Sequence, residues 1–452
     1  MSETAIVLAG HGSHISLETA GPVWRLVDRI RALDVADEVT AAFWKEPPAY
    51  GQVLKTLHAR NVTVIPVFNS MGYFTKTVIP AELDLSGAVM QQSGRVVRYA
   101  DPVGSHPWIS QIIRARIDAV LQAGTISPDR LAVAIVGHAT RREPDSRQNT
   151  EAQAEQLRRT GLAREVVALY LDDAPAIEEV YMRSSAPVII AVPYFVALGS
   201  HAGRDIPRRL GLAAGTSVGN VEGRIVHYTR PVGDDEGLLE IVLDLARESG
   251  AVLRTPGRDS DPGVAWGGFP QAGAAALIAA YERGTLDSVG QVGVRRGEVR
   301  HSADRTLDAS VLETLETPGD LRRRVREMPH FRPLPTRRDL PRGWRVPLPT
   351  ADRLPAVLET IYPGVVAAWA LARRGAFSAT SLEAVVARQT GQFRQLTRLD
   401  AGAREELVAD VCGACVCAPA WYSGTAGDLP CGEPCNFWLS AALEPIAIRE
   451  IA

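Results

Sequence analysis

The chain has 452 residues, too many for one ordinary hydrophobic core, so two or more domains are expected. Hydrophobic residues make up 46% and charged residues 22%, a globular composition that excludes a disordered or fibrous chain. A formal net charge of -3 leaves no footprint for nucleic acid or another polyanion as partner.

The chain opens on "MSETAIVLAG", which has no basic n-region and no long apolar run. No secretory signal is expected there, and the expected location is the cytoplasm. "TAIVLAG" reads as a buried strand and "ETAGPVWRLVDRIRAL" has helical spacing. "EVTAAFW" is a strand, "PAYGQVLKTLHAR" a helix and "NVTVIPVF" a strand. The pattern then returns as "LAVAIVG", "NTEAQAEQLRRTG", "EVVALYL", "AIEEVYMRS" and "APVIIAVP". The most apolar stretch, "APVIIAVPYFVALG", is short and holds two prolines, so no membrane span is expected. Continuous Val/Ile/Ala strands alternating with helices predict parallel sheets covered on both faces.

The two series are copies 127 residues apart. Gly10-His11 returns as Gly137-His138, Glu38-Val39 as Glu165-Val166, and Pro66 as Pro193. Ile79-Pro80 returns as Ile206-Pro207, and "PVG" at 102–104 as "PVG" at 231–233, now 129 residues on. The period is far longer than that of a solenoid, so the prediction is two tandem domains.

In parallel sheets, ligands bind beyond the carboxyl ends of the strands. His11 and His138 each follow the first strand of their copy, and His201, in "GSHAGRDIP", follows the third strand of the second copy. His138 and His201 are therefore expected over one cleft as a two-histidine metal site. The position matching His201 in copy one is Phe74, which leaves that copy with half a site. Glu46 in "FWKEPP", and Asp172 with Asp173 in "YLDDAP", follow the second strands as candidate metal ligands or proton acceptors. Arg141, Arg142, Arg147, Arg204, Arg208 and Arg209 crowd the second copy's rim and suit a ligand with several carboxylates. Each feature also has a plainer use: a Gly-His as a tight turn, an aspartate as a helix cap, an arginine run as a solvated helix face.

"LAGHGSH", "FWKEPP", "VIPVFNSMGYFTKTVIP", "IVGHATR" and "ALGSHAGRDIPRRL" together resemble the sirohydrochlorin cobaltochelatase family of class II tetrapyrrole chelatases, over about residues 1 to 245. The resemblance implies ATP-independent insertion of a divalent metal into sirohydrochlorin. Co2+ is the first choice, with Fe2+ or Ni2+ as alternatives. It implies His138 and His201 as metal ligands and His11 at the first-histidine position of the other lobe; Asp172 and Glu46, at the strand ends, are the candidate catalytic carboxylates beside them. Arg141, Arg142 and Arg204 then bind the substrate's carboxylates. Phe74 departs from the family pattern, which points to a single site per chain, on the second copy. The rival reading of another class is a carrier that binds tetrapyrrole or metal without turnover. A weaker third is a redox protein.

"GAVLRTPGRDSDP" reads as a linker, "WGGFPQAGAAALIAAYERG" as a Gly/Pro turn and an Ala-rich helix, and "SVGQVGVRRGEVRHS" as a hairpin turning on "RRGE". No catalytic constellation stands out there, so a stabilising domain is expected. "HFRPLPTRRDLPRGWRVPLP" reads as a Pro/Arg-rich surface connection, and from about 351 the chain reads helical. All five cysteines lie between Cys412 and Cys435, spaced Cys412-x2-Cys415-x-Cys417-x13-Cys431-x3-Cys435. A disulfide framework would spread its cysteines through the chain. Clustered thiolates suit zinc or an iron–sulfur cluster, and the x3 spacing in "CGEPC" favours a 4Fe-4S cluster. The expected ligands are Cys412, Cys415, Cys431 and Cys435, with Cys417 spare or replacing Cys415.

The expected class is α/β. Two tandem chelatase-like lobes with parallel sheets (1–125 and 126–250) precede a small α+β stabilising domain (258–345) and a mainly helical cluster-binding domain (350–452). The expected partner is a small-molecule tetrapyrrole, with no nucleic acid and no membrane. Monomer and homo-oligomer are both open.

Overall fold

The structure is a computed structural model. It describes residues 3–13, 19–46, 48–124, 126–139, 145–196, 201–256, 266–326, 340–367 and 369, with short stretches between 380 and 429. The first lobe runs β1 (Thr4–Gly10), α1 (Gly21–Ala32), β2 (Glu38–Phe43), α2 (Tyr50–Val53), β3 (Asn61–Pro66), α3 (Ile79–Glu82), β4 (Val89–Gln92), β5 (Arg95–Tyr99) and α4 (Ile109–Ala123). The second runs β6 (Leu131–Gly137), α5 (Asp145–Thr160), β7 (Glu165–Tyr170), α6 (Val180–Arg183), β8 (Val188–Pro193), α7 (Ile206–Arg209), β9 (Val218–Val221), β10 (Arg224–Tyr228) and α8 (Leu238–Glu248).

Both lobes build five-stranded sheets of one topology, ordered β2-β1-β3-β5-β4 and β7-β6-β8-β10-β9. Their registers also match: Ala5 pairs with Glu38 on parallel strands, and Ala132 with Glu165. β1, β2, β6 and β8 are buried along their whole length, which is why β1, β6 and β8 read as nearly pure apolar runs. The expected helices after β2 and β7 are each cut to one short turn plus a 3-10 turn. The repeated Glu explains the stop. The Glu38 carboxylate accepts the His58 and Ala59 backbone N–H groups, at 2.9 and 2.7 Å. The Glu165 carboxylate accepts that of Ser185, at 3.1 Å, so in each copy the chain is taken out of the helix and led into the next strand.

Each sheet ends in a hairpin that apolar patterning did not announce, because β4 and β9 alternate exposed with half-buried residues. Their turns place Ser93-Gly94 and Glu222-Gly223 at positive φ, the conformation of a two-residue hairpin loop. The repeated "PVG" forms a 3-10 turn in both lobes. A Cβ on Gly104 would lie 2.2 Å from the Asn69 carbonyl oxygen, and one on Gly233 1.9 Å from that of Val196, so only glycine fits.

A third sheet, ordered β11-β12-β13-β15-β14, follows α9 (Gln271–Glu282). It comprises β11 (Ser288–Val289), β12 (Val292–Arg295), β13 (Glu298–His301), β14 (Glu313–Thr314) and β15 (Trp344–Pro347), with α10 (Pro318–Arg326) and α11 (Arg353–Ile361). β12 and β13 form the expected hairpin, with Arg295 opposite Glu298. The Pro/Arg-rich segment corrects the expectation of a surface connection. Residues 344–347 are an inner strand between β13 and β14, with Trp344 and Val346 fully buried. Its residues alternate buried and half-buried, and Pro347 sits at the strand's end, where a missing N–H is tolerated. Leu354, Val357 and Ile361 of α11, and Val366 and Trp369 beyond it, belong to the same core.

Two compact units result: Met1–Thr63, Gln91–Val97 and Ala251–Ala452 in one, Val64–Met90 and Arg98–Gly250 in the other. In the first unit, buried Arg31 donates to the Val39 carbonyl at 2.9 Å and pairs with buried Glu359 at 3.1 Å. Glu359 also accepts the Gly364 and Val366 N–H groups. Among the described residues no helix is long and apolar enough to cross a membrane.

Candidate metal centre at the strand ends

β6 ends on Gly137, where a Cβ would lie 2.2 Å from Thr150 Oγ1 on α5, so glycine lets that helix lie against the strand end. The next residue, His138, points its Nε2 to 3.2 Å from Asp172 Oδ2, just past the end of β7. The two side chains are 42% and 57% exposed, open to an incoming ion. The carboxylate only accepts, so Nε2 holds the proton in this contact; two donors on one tetrahedral ion, each at about 2.0–2.2 Å, stand about 3.3–3.6 Å apart, so an ion taking that proton's place would need the pair to open only slightly.

Asp173 has a different engagement. Its Oδ2 pairs with Arg147 Nη1 at 2.9 Å, and its Oδ1 accepts the Ala174 N–H. The Arg147 guanidinium lies 4.4 Å over the Tyr170 ring, and the Tyr170 hydroxyl donates to Glu151 at 2.8 Å. Burial, then Glu151, pushes the Tyr170 hydroxyl well above its ordinary pKa, so it stays a donor. Of two neighbouring aspartates, Asp172 faces the histidine and Asp173 braces α5.

In lobe 1 the Nδ1 of His11 lies 2.8 Å from the Gly12 carbonyl oxygen. A carbonyl only accepts, so Nδ1 carries the proton and the lone pair falls on Nε2, the tautomer a metal ligand needs. Burial pushes the His11 pKa down, the Gly12 carbonyl pulls it partly back, and the Lys45 charge adds to the fall. Lys45 occupies the position matching Asp172, so the two Gly-His sites differ in electrostatic sign. Glu46 is 2% exposed and accepts the Ser13 N–H at 2.9 Å, which ties down the loop after His11.

His201 opens a π-helical turn, His201–Asp205, beyond β8, the strand beside β6. Phe74 opens the equivalent turn, Phe74–Val78, in lobe 1. A hydroxyl anchors each turn: Tyr228 donates to the Ala202 carbonyl and Tyr99 to that of Thr75. Both tyrosines stand three residues before a "PVG", a signal the repeat carried unread. Arg204 is exposed, with Asp205 at 3.7 Å, and Arg208 is exposed. Arg209 instead binds Glu178 through two bonds of 2.6 and 2.7 Å. Arg141, Arg142 and all five cysteines, Cys412, Cys415, Cys417, Cys431 and Cys435, lie outside the described residues.

A second group, His106, Asp244 and Glu248, brings its ligand atoms within 4.8 Å of one another. Its tautomer is wrong for a metal. His106 Nδ1 accepts the Trp108 N–H at 3.2 Å, which leaves the proton on Nε2, aimed at Asp244 Oδ2 3.1 Å away. The pair is a hydrogen-bonded tie between the residues before α4 and α8.

The CbiX family model matches twice, at residues 5–120 and 132–249, and the model described as DR2241 stabilising domain matches residues 282–373. A probable sirohydrochlorin cobaltochelatase of Halobacterium salinarum is 33% identical over 269 residues, covering 55% of this chain and 92% of that protein. A sirohydrochlorin cobaltochelatase of Methanopyrus kandleri is 33% identical over 141 residues, covering 26% of this chain and 96% of its own. Among solved structures, DR2241 of Deinococcus radiodurans aligns over 99% of this chain and 100% of its own, with a TM-score of 0.68 and 29% identity. It is described as a multi-domain protein with structural similarity to chelatases and two additional novel domains. Matched in two successive lobes that together span just over half its length, the chain belongs to the CbiX family of chelatases.

Proposed function

We propose that this chain inserts a divalent metal ion into sirohydrochlorin, with Co2+ as first choice and Fe2+ or Ni2+ as alternatives, and without ATP. The observation that carries this is the 3.2 Å approach of His138 Nε2 and Asp172 Oδ2 at adjoining strand ends. His138, with His201 from the turn beyond the neighbouring strand, holds the ion and leaves coordination positions for the macrocycle nitrogens. As the ion enters, two pyrrole N–H protons leave, and Asp172 stands where a base for them is needed. His11 gives lobe 1 a histidine of the right tautomer, while buried Glu46 acts on the loop after it. Exposed Arg204, with Arg141 and Arg142, holds the substrate's carboxylates.

Four parts are proposed along the chain: lobes at 1–125 and 126–250, a stabilising domain from 258, and a cluster-binding domain at the carboxyl end. The expected divisions are 258–345 and 350–452, and α11 and Trp369 sharing the third sheet's core supports extending the stabilising domain to about Trp369. Cys412, Cys415, Cys431 and Cys435 offer the soft thiolate set that a 4Fe-4S cluster takes, and its role is structural. A cytoplasmic location and a tetrapyrrole substrate as partner, with no nucleic acid and no membrane, complete the proposal.

The test is anaerobic: protein, sirohydrochlorin and Co2+ are mixed, and the macrocycle's visible spectrum is followed against a protein-free control. Acceleration is expected in the wild type. His138→Ala and His201→Ala abolish it, and Asp172→Asn slows it about 10- to 100-fold while Co2+ still binds. A wild type that binds both substrates and only matches the spontaneous rate is a carrier instead.

A further inference from the structure

The carboxyl edge of lobe 1 is aromatic where that of lobe 2 carries a histidine. Phe68 follows β3, and Tyr73 and Phe74 stand at the start of the π-helical turn. The Phe68 and Phe74 rings are near parallel, at 17°, with centroids 5.8 Å apart. Tyr73 meets Phe74 edge-on, at 6.0 Å and 78°. Tyr73 is 59% exposed, and Phe68 and Phe74 are half-buried. At the matching positions of lobe 2 stand Phe195, which is buried, then Ser200 and His201. Lobe 1 thus has aromatic residues on the turn whose counterpart in lobe 2 begins, in sequence, with a histidine.

Asn69, the residue after Phe68, fixes where that aromatic edge lies. Its Oδ1 accepts the Val196 N–H at 2.9 Å, and its Nδ2 donates to the Tyr194 carbonyl. Its own carbonyl accepts the Tyr194 hydroxyl at 2.9 Å and Asn149 Nδ2 at 3.1 Å. Tyr194 and Val196 lie on the segment that leaves β8 for His201, and Asn149 lies on the helix that follows His138. The aromatic cluster is therefore clasped beside the segments that carry both candidate metal ligands.

We propose that Phe68, Tyr73 and Phe74 form a stacking surface for the conjugated ring of the tetrapyrrole, so that lobe 1 holds the macrocycle while lobe 2 holds the metal. This rests on the chelatase assignment above. A conjugated macrocycle is flat and apolar on its faces and carries its charges at the periphery, which is the shape that offset aromatic stacking recognises. Flat aromatic side chains bind other planar ligands, such as nucleobases, in the same way. Phe74, a departure from the two-histidine pattern, becomes a gain of substrate contact instead of a lost ligand.

The experiment measures binding of metal-free sirohydrochlorin by its fluorescence, with Co2+ binding measured separately by calorimetry. The exposed position of Tyr73 lets Tyr73→Ala fold. It is expected to weaken macrocycle binding roughly tenfold, while Tyr73→Phe stays near the wild type, because the ring and not the hydroxyl is used. Co2+ affinity stays unchanged in both. Unchanged macrocycle affinity in Tyr73→Ala, equal losses in both variants, or no macrocycle binding by the wild type overturns the proposal. Macrocycle binding that depends on Tyr73 without any Co2+ insertion keeps the stacking surface and removes the chelatase assignment. Insertion with an unaltered KM in Tyr73→Ala does the reverse.

Discussion

At His11 a proton has a defined place. The Gly12 carbonyl holds it on Nδ1, while burial and then the Lys45 charge work against a second one. Its titration, followed by the imidazole proton resonances, is therefore expected below the ordinary histidine value of 6.5. The sign for stability follows. Above the ordinary value both folded and unfolded chains hold it neutral and it has no effect. As pH falls from there, the unfolded chain takes up the proton first, and stability is lost until the folded-state pKa is passed. A midpoint at or above 6.5 contradicts this account of the site. The repeated Gly-His was legible in the sequence because each half of the pair has a job: the glycine admits a neighbour at the strand end, and the histidine sits on the ligand rim. Asn69 was not legible, because its counterpart is Val196 and no echo marks it.

Among elements, legibility followed burial. β1, β6 and β8 are covered on both faces, so their sequences are nearly pure apolar runs. The hairpins β4–β5 and β9–β10 carry mixed residues, and only their Ser-Gly and Glu-Gly turns announce them. β15 was hidden by three prolines and two arginines within 341–347 and 349, although Trp344 and Val346 alternate inward. Trp344 belongs, with Val299, Leu340 and Val346, to the third sheet's core. Trp344→Ala should cost about 3–5 kcal/mol, read by chemical denaturation, since a large buried ring leaves a cavity the sheet cannot close. A loss below about 1 kcal/mol would return this segment to the surface role that its composition suggests.

At the scale of the molecule, the compact units do not follow the repeat. The opening half of lobe 1 belongs with the carboxyl-terminal region, through the Arg31–Glu359 pair and the bond from the Gln271 N–H to Glu38 at 2.6 Å. Burial, the leading cause, raises the Glu38 pKa, while the Gln271, Ala59 and His58 N–H groups oppose the rise. Glu359→Ala leaves Arg31 buried and unpaired, which costs about 3–5 kcal/mol. A chain ended at Gly250 loses both supports at once. Faster amide exchange is expected through α1, β1 and β2, with β6 and β8 still protected; equal protection in both sets contradicts this division. The same feature sets an order of events during synthesis. Arg31 leaves the ribosome 328 residues ahead of Glu359. At about 5–20 residues per second this is a wait of roughly 20–60 s. Residues 64–90 and 98–250 complete their own unit within that interval, so the middle of the chain matures before its beginning. The newborn amino-terminal segment is therefore the part that holding chaperones have the longest time to meet.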